Sequence, residues 1–109
     1  MIRHCLTLDL IDDETLIEAY KEYHRSVWPE IKESITSAGI NEMEIYLFNT
    51  RLFMIMEVDN SFSFEAKAQA DLENDKVQDW EKLMWSYQKA LPGAKPGEKW
   101  LLMEKIFKL

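Results

Sequence analysis

The chain has 109 residues, the size of one domain, and 47% of them are hydrophobic, enough to build a core. Thirteen Lys and Arg against twenty Asp and Glu leave a net charge of −7. That balance argues against nucleic acid and against an anionic membrane surface, both of which need a basic footprint.

The first five residues, Met1-Ile2-Arg3-His4-Cys5, lack the apolar core and cleavage site of a signal peptide. Cys5 is the sole cysteine, so no internal disulfide or multi-thiolate zinc site can form. The longest uncharged run, Ser34 to Asn41, is far short of a membrane span. A soluble, cytoplasmic protein is expected.

Ile2, His4, Leu6, Leu8 and Leu10 alternate with Arg3, Cys5, Thr7 and Asp9, which predicts a strand. Asp12 and Asp13 offer an N-cap. Leu16, Tyr20, Tyr23, His24 and Val27 then share one face of a helix from about Asp13 to Ser26. Trp28-Pro29 interrupts it, because proline lacks an N–H and drives the preceding residue out of the α region. Ile31 and Ile35 carry the apolar stripe on to Gly39, a natural residue beyond a helix end. Met43, Ile45 and Leu47 predict a second strand, Asn49-Thr50-Arg51 a hairpin turn, and Leu52, Met54, Met56 and Val58 a third strand. Phe64, Ala68 and Leu72 suggest a short helix that Asn74-Asp75 breaks. Val77, Trp80, Leu83, Met84 and Tyr87 face one way in the next helical segment. Pro92 to Gly97 reads as a loop, and Trp100 to Leu109 as a final strand. The order β-α-β-β-α-β is that of the α+β ferredoxin-like fold, with a four-stranded antiparallel sheet.

That topology puts its helices on one sheet face, yet the strands are apolar on both. Tyr46 and Phe48, Phe53 and Ile55, and Leu101, Met103 and Phe107 all point away from the helix side. A large exposed apolar face marks a partner site. A homodimer with sheets packed face to face, a dimeric α/β barrel, is therefore expected. The alternative is that the last strand or the Pro-Gly loop folds across this face.

Neither a phosphate-cradling glycine loop, a paired-histidine metal motif nor a serine elbow is present. His4 lies mid-strand among leucines and reads as a core or interface imidazole. Tyr20, His24 and Trp28, spaced four and four, lie on one side of the first helix. Aromatic rings beside one titratable imidazole suit a small neutral polyol, with rings on its C–H faces and phenol, indole and imidazole on its hydroxyls. The same spacing also suits ordinary core aromatics with a helix-terminal histidine.

Tyr20-x-x-x-His24-x-x-x-Trp28-Pro29-Glu30 occurs together with Met1-Ile2-Arg3, Gly39, Ile45-Tyr46-Leu47, Leu52 to Glu57, and Trp80 with Met84. This ordered set resembles the L-rhamnose mutarotase family over nearly the whole chain. The resemblance implies that His24 is the catalytic proton donor and that Tyr20 and Trp80 contact the sugar. Two positions depart from the rhamnose-specific pattern: Met43 stands in place of a second binding tyrosine, and Glu81 in place of a second tryptophan. The same reaction on a related 6-deoxy-L-hexose follows, with L-fucose the natural candidate.

Anomer exchange needs no cofactor: one proton leaves the anomeric hydroxyl and one reaches the ring oxygen. Histidine titrates near neutrality and can serve that transfer. His24 is expected to protonate the ring oxygen and Tyr20 to orient the sugar and relay a proton. Trp80 and Trp28 are expected to wall the sugar ring, with Tyr46 and Glu81 as further contacts; Tyr46 equally suits the dimer face and Glu81 a solvated helix surface. Two other classes share the fold pattern: a cofactor-free oxygenase or haem-degrading barrel, and a sugar-binding module without turnover.

Overall fold

The computed structural model describes all of residues 1–109. Its elements run β1 (Ile2–Leu10), α1 (Glu14–Arg25), α2 (Pro29–Ser37), β2 (Ile40–Phe48), β3 (Arg51–Val58), α3 (Phe64–Leu72), α4 (Asp75–Trp85), β4 (Gln88–Lys89) and β5 (Leu101–Leu102). The sheet is antiparallel throughout, in the order β2-β3-β1-β4, with β5 also paired to β1. The expected α+β order is borne out. No helix is long and apolar enough to cross a membrane.

Three of the four helices begin where the sequence offers a side-chain partner for the free N–H groups of the first turn. The Asp13 carboxylate accepts from the Leu16 N–H at 3.0 Å, Ser63 Oγ from Ala66, and Asn74 Oδ1 from both Lys76 and Val77. The second helix has no side-chain cap and starts instead on Pro29, whose missing N–H would have been unpaired there anyway. Gly39 ends it at φ +95°. A Cβ at that position would lie 2.7 Å from the Asp59 carboxylate, so conformation and space both demand glycine. The β2–β3 turn is closed by Asn49 at φ 53°, a conformation asparagine tolerates.

The alternation read in the first three strands sorts the two sheet faces. Leu6, Leu8, Leu10, Leu52, Met54, Met56 and Val58 are buried beneath the helices. Leu8, Leu10 and Leu52 meet Tyr20 from α1, Ile31 from α2 and Val77, Trp80 and Met84 from α4, while Leu6, Met54, Met56 and Val58 form a second cluster with Ile40; burial contributes about 1.5–3 kcal/mol per side chain. On the opposite face, Tyr46, Phe53, Thr7 and Leu101 form one cross-strand row, and Phe48 and Arg51 lie opposite each other beside Asp9. Tyr46 is 53% exposed and Phe48 77%. Neither the loop nor the C-terminal segment covers these two rings.

The fourth sheet position differs from the expectation of one strand over Trp100 to Leu109. Two short pieces share it. Gln88 and Lys89 pair with Leu10 and Asp9, and the chain then leaves the sheet. It returns so that Leu101 and Leu102 pair with Thr7 and Leu6. After the Met103 N–H bonds the Cys5 carbonyl at 2.8 Å the pairing stops, and Ile106, Phe107 and Leu109 are exposed. The alternation there was real, but the pairing stops at Met103 although Ile2, Arg3 and His4 of β1 are free on that edge.

Candidate active site

Between the helices and the sheet lies a cavity of about 240 Å³, lined mainly by apolar side chains. The first helix brings Tyr20 and His24 to it, four residues and so one turn apart. The fourth helix brings Trp80, Glu81 and Met84, and the second strand brings Met43 and Ile45. Five residues singled out in the sequence thus share one hollow: Tyr20, His24, Met43, Trp80 and Glu81. Their rings pack closely, with His24 4.4 Å from Tyr20 and 5.7 Å from Trp80 between centroids.

Two expected contacts lie elsewhere. Trp28 stands behind Trp80, edge to face at 5.1 Å, and supports that ring without lining the cavity. Tyr46 lies on the opposite sheet face, as its place in the alternation of β2 predicts, and its hydroxyl meets Glu44 at 3.3 Å. His4 is also remote. Its ring packs edge-on against Phe64 at 4.9 Å. Cys5 is a half-buried free thiol on the outer sheet face.

The electrostatics of the site follow from its dryness. His24 Nδ1 lies 2.8 Å from the Tyr20 carbonyl oxygen, which can only accept, so Nδ1 carries the hydrogen of the neutral ring. Nε2 is then the basic nitrogen. Burial lowers the His24 pKa from its ordinary value, and the bond to the carbonyl only partly opposes this. The imidazole is therefore a neutral base at pH 7. Burial also pushes the Tyr20 phenol up to about 12, against a weaker pull from Gln88. It stays protonated and can donate a hydrogen bond.

Sequence reading missed the remaining polar groups of the cavity. Lys99 donates to the Glu81 carbonyl at 3.0 Å and lies over the Trp85 ring, and burial lowers its pKa against the opposing Glu81 charge. Lys67 and Asp71 form a half-buried ion pair at 2.5 Å. Together with Ser34, that pair also borders a larger polar cleft of about 610 Å³ between α2 and α3, so the two hollows share a wall. Gln88 is buried beside Tyr20. The Lys67–Asp71 spacing of four was a legible helical pair. Lys99 sits in irregular chain and Gln88 on a two-residue strand, with no periodicity to expose either.

Known proteins align with this chain over its whole length. An L-fucose mutarotase from Xanthomonas campestris pv. campestris is 48% identical over 111 residues, covering 100% of this chain and 89% of the relative. An L-rhamnose mutarotase from Shigella flexneri is 30% identical over 98 residues, 88% of each chain. The crystal structure of an L-rhamnose mutarotase from Formosa agariphila superposes with a TM-score of 0.74 at 21% identity, covering 100% of this chain and 99% of the other, and so shares the fold. The family model described as L-rhamnose mutarotase matches residues 3–109. The chain belongs to the L-rhamnose mutarotase family.

Proposed function

We propose that this protein exchanges the α and β anomers of a 6-deoxy-L-hexose, L-fucose in preference to L-rhamnose, with His24 as the proton-carrying group. The observation that carries this reading is the meeting of a neutral, half-buried imidazole and a protonated phenol in one ring-lined cavity. The substrate preference rests on two supports. The L-fucose mutarotase of Xanthomonas is the relative with the greater identity of the two, and the two departures from the rhamnose-specific pattern, Met43 and Glu81, both line the cavity.

The reaction needs only proton movement. His24 Nε2 takes the proton of the anomeric hydroxyl and passes it to the ring oxygen. The C1–O5 bond breaks as the C1–O1 double bond forms, C1–C2 rotates, and the steps reverse on the other face. The proton that His24 gives the ring oxygen is one it has first collected, because burial keeps the resting imidazole neutral. Tyr20 holds the sugar as a donor; a phenol at about 12 gives up no free proton at pH 7. Trp80 walls the sugar ring. Such general acid–base transfer is worth ~10²–10⁴-fold.

The protein acts in the cytoplasm as a homodimer in this reading. The exposed Tyr46 and Phe48 rings and the apolar C-terminal segment support association with a second copy. Saturation-transfer NMR on L-fucose, L-rhamnose and common hexoses tests the activity, since only a mutarotase carries magnetisation between the anomer signals. Exchange with L-fucose faster than with L-rhamnose is expected. A protein that binds the sugar without exchange is a binding module, and the proposal then fails.

A further inference from the structure

Gln88 is the one residue outside the hydrophobic set that is buried, at 6% exposure, and it lines the cavity. It is held on β4, whose pairing with Leu10 fixes the backbone. The side-chain amide makes a single hydrogen bond: Nε2 donates to Tyr20 Oη at 3.3 Å, and Oε1 has no partner at all. A buried amide oxygen without a donor destabilises a fold, and an apolar side chain of similar shape would avoid that cost. The residue is therefore poorly explained by packing and well explained by its one partner.

That partner is gripped at both ends. The Tyr20 carbonyl receives His24 Nδ1 and the Tyr20 hydroxyl receives Gln88 Nε2. A phenol oxygen that accepts from Gln88 keeps its own hydrogen free, and the cavity is the remaining direction for it. We infer that Gln88 is a positioning residue of the sugar site, holding the Tyr20 phenol so that its proton is offered to the bound sugar. The inference rests on the mutarotase reading above and adds a member that acts through Tyr20.

The function and the stability of a Gln88→Leu variant should move in opposite directions. Thermal melting is expected to hold or rise, because the orphaned oxygen is gone. KM for L-fucose is expected to increase about tenfold, the fold-change of one neutral hydrogen bond, with kcat little changed. In a Tyr20→Phe background the second substitution should add nothing to KM, since the two act as one unit. Melting and kcat falling together, an unchanged KM, or fully additive effects would each overturn the inference and leave the mutarotase reading standing. A wild-type protein with no anomer exchange overturns both.

Discussion

The two faces of the sheet are made from the same strands and have opposite fates. On the inner face, alternate residues of β1 and β3 vanish beneath four helices, and the space those helices leave unfilled is the candidate active site. On the outer face the intervening residues include Tyr46 and Phe48, rings as large as those inside, and the chain lays nothing over them. The difference lies in what covers each face, since both sets of side chains are substantially apolar. A pleated strand gives each face every second residue, so one sequence can specify a chemical site on one side and a meeting surface on the other. The two functions should then be separable by mutation.

The largest effect should come from the inner side. Replacing His24 with Asn removes the proton carrier while leaving a similar shape, and anomer exchange measured by NMR is expected to fall ~10²–10⁴-fold. Sedimentation of that variant should match the parent, because the outer face is untouched. The converse substitution, Tyr46→Lys with Phe48→Lys, should weaken self-association by roughly 30-fold or more, the scale of buried aromatic anchors. Light scattering across a dilution series would detect it. Exchange per chain that also collapsed would show that the faces are not independent.

A smaller effect sharpens the inner face itself. Met43→Tyr with Glu81→Trp restores the rhamnose-specific pattern at two cavity positions. The ratio of kcat/KM for L-rhamnose over L-fucose is expected to rise about tenfold, within the range that pocket contacts supply. Unequal exchange rates on the two sugars that ignore these substitutions would move the specificity elsewhere, with Lys99 the next residue to change.

The mildest test is acidity. The His24 pKa is depressed by burial, so its base form persists below the ordinary value of 6.5. Exchange should be flat from about pH 8 down to 6.5 and decline only on further acidification, as the imidazole fills. Stability should follow the same sign. The unfolded chain binds this proton more tightly, so the contribution is complete above pH 6.5 and is lost as pH falls through the folded pKa. A rate that rose on mild acidification would mean that the resting imidazolium is the working form.

Much of this arrangement was legible in the sequence, for identifiable reasons. Period-two alternation marked β1, β2 and β3, and Asp13, Pro29, Gly39 and Asn74 marked the helix boundaries, because those residues act locally. Tyr20 and His24 were found through helical spacing, and Trp80, Met43 and Glu81 through the family resemblance. What local signals could not disclose was tertiary: the division of the fourth sheet position and the arrival of Gln88 and Lys99 at the cavity. None of these residues carries a periodic or capping signature. Alternation from Trp100 to Leu109 promised a strand, but alternation does not fix how far pairing runs, and that of β5 ends at Leu102.

The divided fourth position has a consequence for how such enzymes diversify. The polypeptide between Lys89 and Leu101 leaves the ladder and rejoins it in a register compatible with continued pairing, carrying Lys99 and Trp100 to the pocket on the way. Lengthening or shortening that detour would reshape the sugar's surroundings while the β1 pairs at either side stayed in place. A change of length there would alter the pocket wall without disturbing the paired residues of the core.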